Sequence, residues 1–179
     1  MTVPPYAVAA VLTITVGYFA DRTKQRGLFN IGCVLVAATG FIMLLASSKH
    51  NVQYAGTFFA AAGIYPTIPN SLSWAANNFE GVYKRGVVIG TIVGWGNLNG
   101  VVSSNIYLKS ESPRYWTGHA VVLSWQVAFL LGGSVFLYIM LGRENKKRLN
   151  GQRASLTAGK TAEEIRFLGD NRPDFIYMR

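Results

Sequence analysis

The sequence divides at the stretch Gly17-Tyr-Phe-Ala-Asp21-Arg22-Thr-Lys24-Gln-Arg26, where one acid and three bases separate two uncharged runs. Basic residues are hard to move across a bilayer, so they hold a turn between two spans on the cytoplasmic side. A lone carboxylate adds little to this orientation. Asp21 is better used as a partner for Arg22 or Arg26, or for the positive end of a neighbouring helix. The junction therefore predicts a membrane hairpin.

Long uncharged runs make up most of the chain. Residues 28–48, 51–79, 86–108 and 115–142 contain no Asp, Glu, Lys or Arg, and the opening run covers residues 3–20. A helix needs ~20 residues to cross the hydrocarbon core. Only 14% of the 179 residues are charged, against roughly 25% in an ordinary soluble domain. The sequence thus predicts an all-α integral membrane protein.

The predicted organisation has two parts. The first is a membrane bundle over residues 1–142, with five helices at about 3–20, 28–48, 53–79, 86–108 and 119–141. The second is a cytoplasmic basic tail over residues 143–179, with a short helix near 162–168 that starts from a Thr161–Glu164 capping box. The second and fifth helices are nearly all apolar, and we expect that the second can face lipid.

The net charge of +9 reflects topology rather than nucleic-acid binding, because nine of the 17 basic residues follow Gly142. Basic turns and the basic tail place the start of the chain outside the cell and its end inside. Cys33 is the single cysteine and lies in a predicted span, so neither an intramolecular disulfide nor a zinc site is expected. No arrangement of catalytic residues, phosphate loop or metal-ligand cluster is seen, so we expect no enzyme activity, no cofactor and no metal.

The third and fourth helices hold the polar residues. Pro66 and Pro69 each remove a helical hydrogen bond, and the carbonyl groups that they free must face protein or a water-filled cavity. The alternatives for these prolines are a functional hinge and a static kink. The fourth helix carries glycines at steps of four residues, which allow close packing of helices; substrate access is the other interpretation. These glycines are Gly86, Gly90, Gly94, Gly96 and Gly100.

Four stretches carry a resemblance to a known family. They are Gly17 to Arg26, Gly63-Ile-Tyr-Pro66-Thr-Ile-Pro69-Asn70-Ser71-Leu-Ser73-Trp74, Gly94-Trp95-Gly96-Asn97-Leu-Asn99-Gly100, and Leu168-Gly-Asp170-Asn-Arg172-Pro173-Asp174-Phe175-Ile-Tyr177. In this order they resemble the loop signature between helices eight and nine, helix ten, helix eleven and the C-terminal ending of a major facilitator superfamily transporter. The likeness is closest to the fungal allantoate/nicotinate permease group of the anion:cation symporters. Lys24 departs from the pattern, which usually has glycine there, and Gln25 stands where a base is usual.

The resemblance covers the whole chain as helices eight to twelve, and it implies a twelve-helix fold with alternating access in which helices eight, ten and eleven border the cavity. Seven helices are absent, so the expected bundle is incomplete. Its implied site residues form two groups. Substrate contacts are expected at Ser71, Trp74 and Asn97, with Asn70 and Asn99 as further candidates; the alternative is hydrogen bonding between helices, worth about 1 kcal/mol each. A conformational gate is expected at Gly17, Asp21, Arg22 and Arg26; the alternative is a solvated turn.

Two functions follow from these expectations. The first is proton-coupled transport of a small organic solute, an organic anion such as a carboxylate vitamin or a ureide, across the plasma membrane. Since no charged residue lies inside a span, the coupling groups and the first seven helices would have to come from outside this chain. The second is a truncated, non-transporting membrane fragment or a helical membrane subunit.

Overall fold

The computed structural model describes residues 3–107, 111–112 and 115–179, and within these residues all regular secondary structure is helical. The end of the fourth predicted helix at Leu108, with Lys109 and Arg114 of the predicted outer loop, lies outside the described residues. The helices are α1 (Val3–Thr23), α2 (Arg26–Ala46), α3 (His50–Asn77), α4 (Val82–Ile106), α5 (Trp116–Trp125), α6 (Gly132–Leu149) and α7 (Ala162–Phe167). A π-helical turn, Gln126–Leu131, joins α5 to α6, so the fifth predicted helix is one rod over Trp116–Leu149.

The predicted all-α membrane fold is confirmed. Among the described residues, four helical rods are long and apolar enough to cross a membrane, namely α1, α2, α4 and the rod from α5 to α6. The third predicted span corresponds to α3, which is the longest single helix at 28 residues but is not among those four. Its two prolines and its asparagines lower its hydropathy. The division into bundle and tail at residue 142 stays a prediction; α6 continues past it to Leu149.

The second predicted helix, α2, packs one side on α3, whereas Leu35 and Ile42 are exposed; that it can face lipid stays a prediction. Three glycines bring the two backbones together, Gly40 of α2 and Gly56 and Gly63 of α3. A Cβ atom at Gly63 would overlap the carbonyl oxygen of Cys33 and the backbone nitrogen of Ala37. Ala37 is completely buried at this crossing. Small residues therefore make α2 and α3 the packed centre of the chain.

The glycines of α4 lie in open space instead. A Cβ atom at any of the five glycines that the sequence analysis singled out would have no heavy atom within 4 Å. Residues 90–101 of α4 are all exposed, including Trp95 with 75% of its surface accessible. This helix therefore offers an uncovered face, whereas the close packing that its spacing suggested occurs between α2 and α3.

Lys24 occupies the α1–α2 turn with a left-handed backbone, φ 55°. Its N–H group bonds the carbonyl oxygen of Asp21 at 3.4 Å and so closes the turn. This conformation is one that glycine adopts without steric cost. Lys24, which stands where the family's pattern usually has glycine, therefore has a backbone conformation that favours glycine.

The short tail helix α7 begins as predicted, with a complete capping box between Thr161 and Glu164. The Thr161 N–H group donates to the Glu164 carboxylate at 2.7 Å. This backbone hydrogen bond, with a second from the Thr161 hydroxyl, lowers the pKa of Glu164. A lowered pKa in the folded state means that the stabilising contribution is present above the unfolded pKa and is lost as the pH falls through the folded pKa.

We therefore expect α7 to fray when Glu164 is protonated. The protection factor of the Thr161 amide, which corrects the exchange rate for its intrinsic pH dependence, should fall as the pH falls through the pKa of Glu164. Glu164→Gln is the matched control, because it keeps an acceptor oxygen but cannot titrate. A protection factor at Thr161 that fell in the same way in Glu164→Gln would contradict this role for the carboxylate.

Candidate substrate cavity and its polar network

Arg26 is a buried cation at the first position of α2. Its Nη2 atom pairs with the carboxylate of Asp21 at the end of α1, and its Nη1 atom donates to the Asn70 Oδ1 atom of α3 at 3.1 Å. Asn70 in return donates to the Arg26 carbonyl oxygen at 2.8 Å. Two expected gate residues and one expected substrate contact therefore form a single network that joins α1, α2 and α3.

A second amide, Asn30, lies one turn further along α2 and is also buried. Its Oδ1 atom accepts from the Ser71 hydroxyl at 3.2 Å and from Asn70 at 3.4 Å. Its Nδ2 group donates to the Ser134 hydroxyl of α6 at 3.0 Å. Asn30 thus links α3 to α6, and Ser71 already has a partner within the chain.

Trp74 lies one turn of α3 beyond Asn70 and is buried. Its indole Nε1–H group donates to the carbonyl oxygen of Met178 at 2.9 Å. Gly27 of α2 leaves room for the ring, because a Cβ atom there would lie 2.8 Å from the indole. The indole is therefore held between α2 and the C-terminal segment.

A cavity of about 940 Å³ opens beside Ser71 and Trp74. Its apolar walls come from α4, the π turn and α6, and include Val88, Ile92, Phe129, Leu130, Leu137 and Met140. Its polar groups include Asn30, Ser71, Trp74, Asn78 and Ser134, and at one end it is lined by Arg143, Glu144, Lys147, Asp170 and Tyr177. Such a cavity, mostly apolar with a few polar groups, is typical of sites for small organic molecules.

The helices around this cavity differ from those that the resemblance implied. Among its lining residues none belongs to α1, whereas Asn30 of α2 and several residues of α6 do line it. Residues of α1 line a smaller apolar cavity of about 350 Å³, together with α2 and Ala62 of α3.

The remaining predicted site residues are spread over the chain. Asn97 and Asn99 lie on the exposed α4 and do not line the large cavity. Arg22 is exposed and bonds the Tyr18 hydroxyl at 3.1 Å, and Gly17 has no heavy atom within 4 Å of a Cβ position. Pro66 is fully buried and Pro69 is exposed, both within the uninterrupted α3. The kink and gate roles of these residues stay predictions.

Sequence reasoning missed Asn30, Ser134, Asn78, Asn145 and Arg148, all of which are buried polar residues with partners. One signal could have found Asn30: an amide inside an apolar span needs a partner. The burial of Arg148 could not be predicted in this way, because Arg148 belongs to a run of basic residues in the predicted cytoplasmic tail.

The chain is similar to curated membrane transporters over almost its whole length. It is 31% identical to an MFS-type transporter from Penicillium expansum, with 99% of this chain and 35% of the relative aligned. It is likewise 31% identical to the high-affinity nicotinic acid transporter of Saccharomyces cerevisiae, over 99% of this chain and 33% of that protein. An uncharacterized transporter from Schizosaccharomyces pombe is 32% identical, over 99% of this chain and 35% of its own length. No family model and no solved structure matches the chain.

These relatives, together with the apolar helices, place the chain in the major facilitator superfamily of membrane transporters. The membership that the loop signature and helices ten and eleven suggested is thereby confirmed. The chain spans about a third of the length of the curated relatives that it matches.

Proposed function

We propose that the chain is the helix-eight-to-twelve part of a secondary transporter that moves a small organic anion, such as a carboxylate vitamin or a ureide, by alternating access. The observation that carries this proposal is the similarity of the whole chain to MFS transporters, one of which is named for nicotinic acid. The resemblance to the allantoate/nicotinate permease group supports the same solute class. On this proposal the protein is a transporter and not an enzyme.

Proton coupling is also part of the proposal. No Asp, Glu, Lys or Arg lies inside residues 28–48, 51–79 or 86–108, so these spans hold no carboxylate to carry a proton across the membrane. We assign the coupling groups, and the seven further helices that a complete cavity needs, to the remainder of the transporter. The basic turns and tail favour a cytoplasmic C-terminus, and we propose the plasma membrane as the location.

The proposed solute contacts are Ser71, Trp74 and Asn97, with Asn70 and Asn99 as secondary candidates. Ser71 and Trp74 line the large cavity, and each must exchange its present partner in order to bind a solute. Asn97 and Asn99 lie on the face of α4 that this chain leaves uncovered. An amide on a membrane helix needs a polar partner, and a solute passage against this face would supply one.

Asn97→Leu in a complete transporter that carries this segment should lower uptake several-fold without lowering its abundance in the membrane. The reason is the loss of an amide at the solute passage. Uptake of radiolabelled nicotinate, normalised to surface protein, measures the effect. Asn105→Leu is the matched control, because Asn105 is also an exposed amide of α4 but bonds its own helix at the Val101 carbonyl oxygen.

Normal uptake by Asn97→Leu at normal abundance would remove Asn97 from the proposed solute contacts.

When the 179-residue chain is expressed alone, we expect no uptake. Uptake by that chain alone would show that it needs no further helices.

A further inference from the structure

The C-terminal segment, residues 170–179, lies against the basic end of the bundle, where α3 ends, α4 begins and α6 ends. Residues 175–179 have no regular secondary structure. The helices nevertheless hold this segment through its backbone groups, which is how proteins recognise an extended peptide.

Two asparagine side chains bind consecutive residues of the segment from two helices. Asn145 of α6 donates to the Tyr177 carbonyl oxygen at 2.8 Å and accepts from the Tyr177 N–H group at 2.9 Å. Asn78, at the end of α3, donates to the Met178 carbonyl oxygen at 3.0 Å and accepts from the Met178 N–H group at 2.7 Å. Successive residues of an extended chain alternate in direction, so residues 177 and 178 can bond α6 on one side and α3 on the other.

Arg148 of α6 binds the backbone of the turn that precedes these residues. Its Nη1 atom donates to the carbonyl oxygens of Asp170, Arg172 and Phe175 at 2.8–2.9 Å. Its Nη2 atom donates to the Tyr177 hydroxyl at 2.8 Å, and the guanidinium lies over the Tyr177 ring. Arg148 is buried, and a buried cation without such partners would be strongly disfavoured. The segment therefore completes the environment of Arg148.

Two ion pairs connect the C-terminal segment to α4 and to the turn between α3 and α4. Lys84 of α4 pairs with the buried Asp170 at 2.6 Å, and Glu80 pairs with Arg172 at 3.2 Å. At the last residue, the Arg179 guanidinium lies 4.4 Å from the centre of the Tyr138 ring of α6. Contacts from three helices thus converge on ten residues.

We propose that Asn78, Asn145 and Arg148 form a binding site for an extended peptide, and that its ligand is the chain's own segment 170–179, which acts as a latch. Asp170 and Tyr177 line the end of the large cavity, so the bound latch forms part of the cavity wall. The Met178 carbonyl oxygen also takes the indole N–H group of Trp74. Release of the latch opens that end of the cavity and frees the indole N–H group, and the consequence for solute binding rests on the proposed function.

The contact is tested first by cross-linking the 179-residue chain in lipid nanodiscs. The side chains of Asn77 and Met178 meet at 3.4 Å, so Asn77→Cys with Met178→Cys, in a Cys33→Ala background, should cross-link with a short bis-maleimide. Asn77→Cys with Ser155→Cys is the matched control pair and should not react. No cross-link in the first pair of a folded chain, or equal cross-linking in both pairs, would overturn the latch.

The energetic role of the site is tested by amide exchange at Tyr177 and Met178 and by indole N–H exchange at Trp74. Arg148→Gln should accelerate all three at least about tenfold, the factor that corresponds to losing a hydrogen bond to a charged group. Arg143→Gln, which changes an exposed base of the same helix, should leave them unchanged. Exchange in Arg148→Gln equal to that of the unaltered chain would overturn the proposal.

Met178→Pro gives a second route that leaves the helices untouched. It removes the N–H group that donates to the Asn78 Oδ1 atom. Hydrogen exchange at the Tyr177 amide and at the Trp74 indole should therefore accelerate. Unchanged exchange at both groups would overturn the latch. None of these measurements uses a solute. Failure of the latch is therefore distinct from failure of the proposed transport function, which only the uptake experiment tests.

Discussion

Gly63→Ala is expected to disrupt the packing of α2 on α3 severely. The added methyl group would overlap backbone atoms of Cys33 and Ala37, together with the Ala37 side chain. Backbone atoms cannot turn aside as a flexible side chain can, so α2 and α3 would have to separate. Overpacking of this kind costs about 1–3 kcal/mol, and we expect the upper end of that range.

The measurement is SDS-induced unfolding of the 179-residue chain in mixed micelles, followed by circular dichroism. Gly90→Ala in α4 is the matched control, since it adds the same methyl group where no heavy atom lies within 4 Å. Alanine is the better helix former by up to about 1 kcal/mol, so this variant should be as stable as the parent or slightly more stable. Equal midpoints for the two variants would contradict the packing of α2 on α3.

Asp21→Asn should also destabilise the chain, because it removes the negative charge beside a buried cation. The Arg26 side chain is only 7% exposed, whereas that of Asp21 is 62% exposed. Losing one partner of a fully buried pair costs about 3–5 kcal/mol. Since water screens Asp21, we expect a loss of about 2 kcal/mol. Unfolding in mixed micelles measures it, and Asp174→Asn, which changes an exposed acid of the tail, is the control.

Because Arg26 is buried and Asp21 is not, a double variant can test whether Arg26 stabilises the chain through Asp21 or through Asn70. Arg26→Gln leaves Asp21 in water and removes the buried charge altogether. The double variant Asp21→Asn/Arg26→Gln should therefore be more stable than Asp21→Asn alone. A double variant less stable than Asp21→Asn would show that Arg26 stabilises the chain through Asn70 rather than through Asp21.

The membrane fold could be predicted from the sequence because it depends on where charge is absent. Uncharged runs long enough to span a bilayer, with Arg22, Lys24 and Arg26 at a turn, are local features of the chain. The capping box of Thr161 and Glu164 is also local, since its two residues lie three positions apart. Patterns of this length can be read without any knowledge of the tertiary structure.

The candidate site was predicted only in part, because its partners lie far apart in the chain. Ser71, Trp74 and Asn70 stood out as polar residues of one helix, but nothing local indicates that Asn30 bonds two of them. The Asn78–Met178 contact spans 100 positions. The spacing of the glycines did not indicate their partners either: α4 has the more regular spacing, yet the glycines that meet the backbone of a neighbouring helix are Gly40, Gly56 and Gly63.

The π-helical turn at Gln126–Leu131 determines how the last membrane rod is rotated about its own axis. Gln126 donates to the Val34 carbonyl oxygen at 3.1 Å and Ser134 accepts from Asn30, so both side chains point at α2. Eight positions along an uninterrupted α-helix would place them about 80° apart. One surplus residue in the wider turn reduces the effective separation to seven positions, or about 20°. The rotation of α6 about its own axis is therefore set by one extra residue in the π-helical turn. That residue also sets the direction in which Asn145 and Arg148 project, some twenty positions later in the chain.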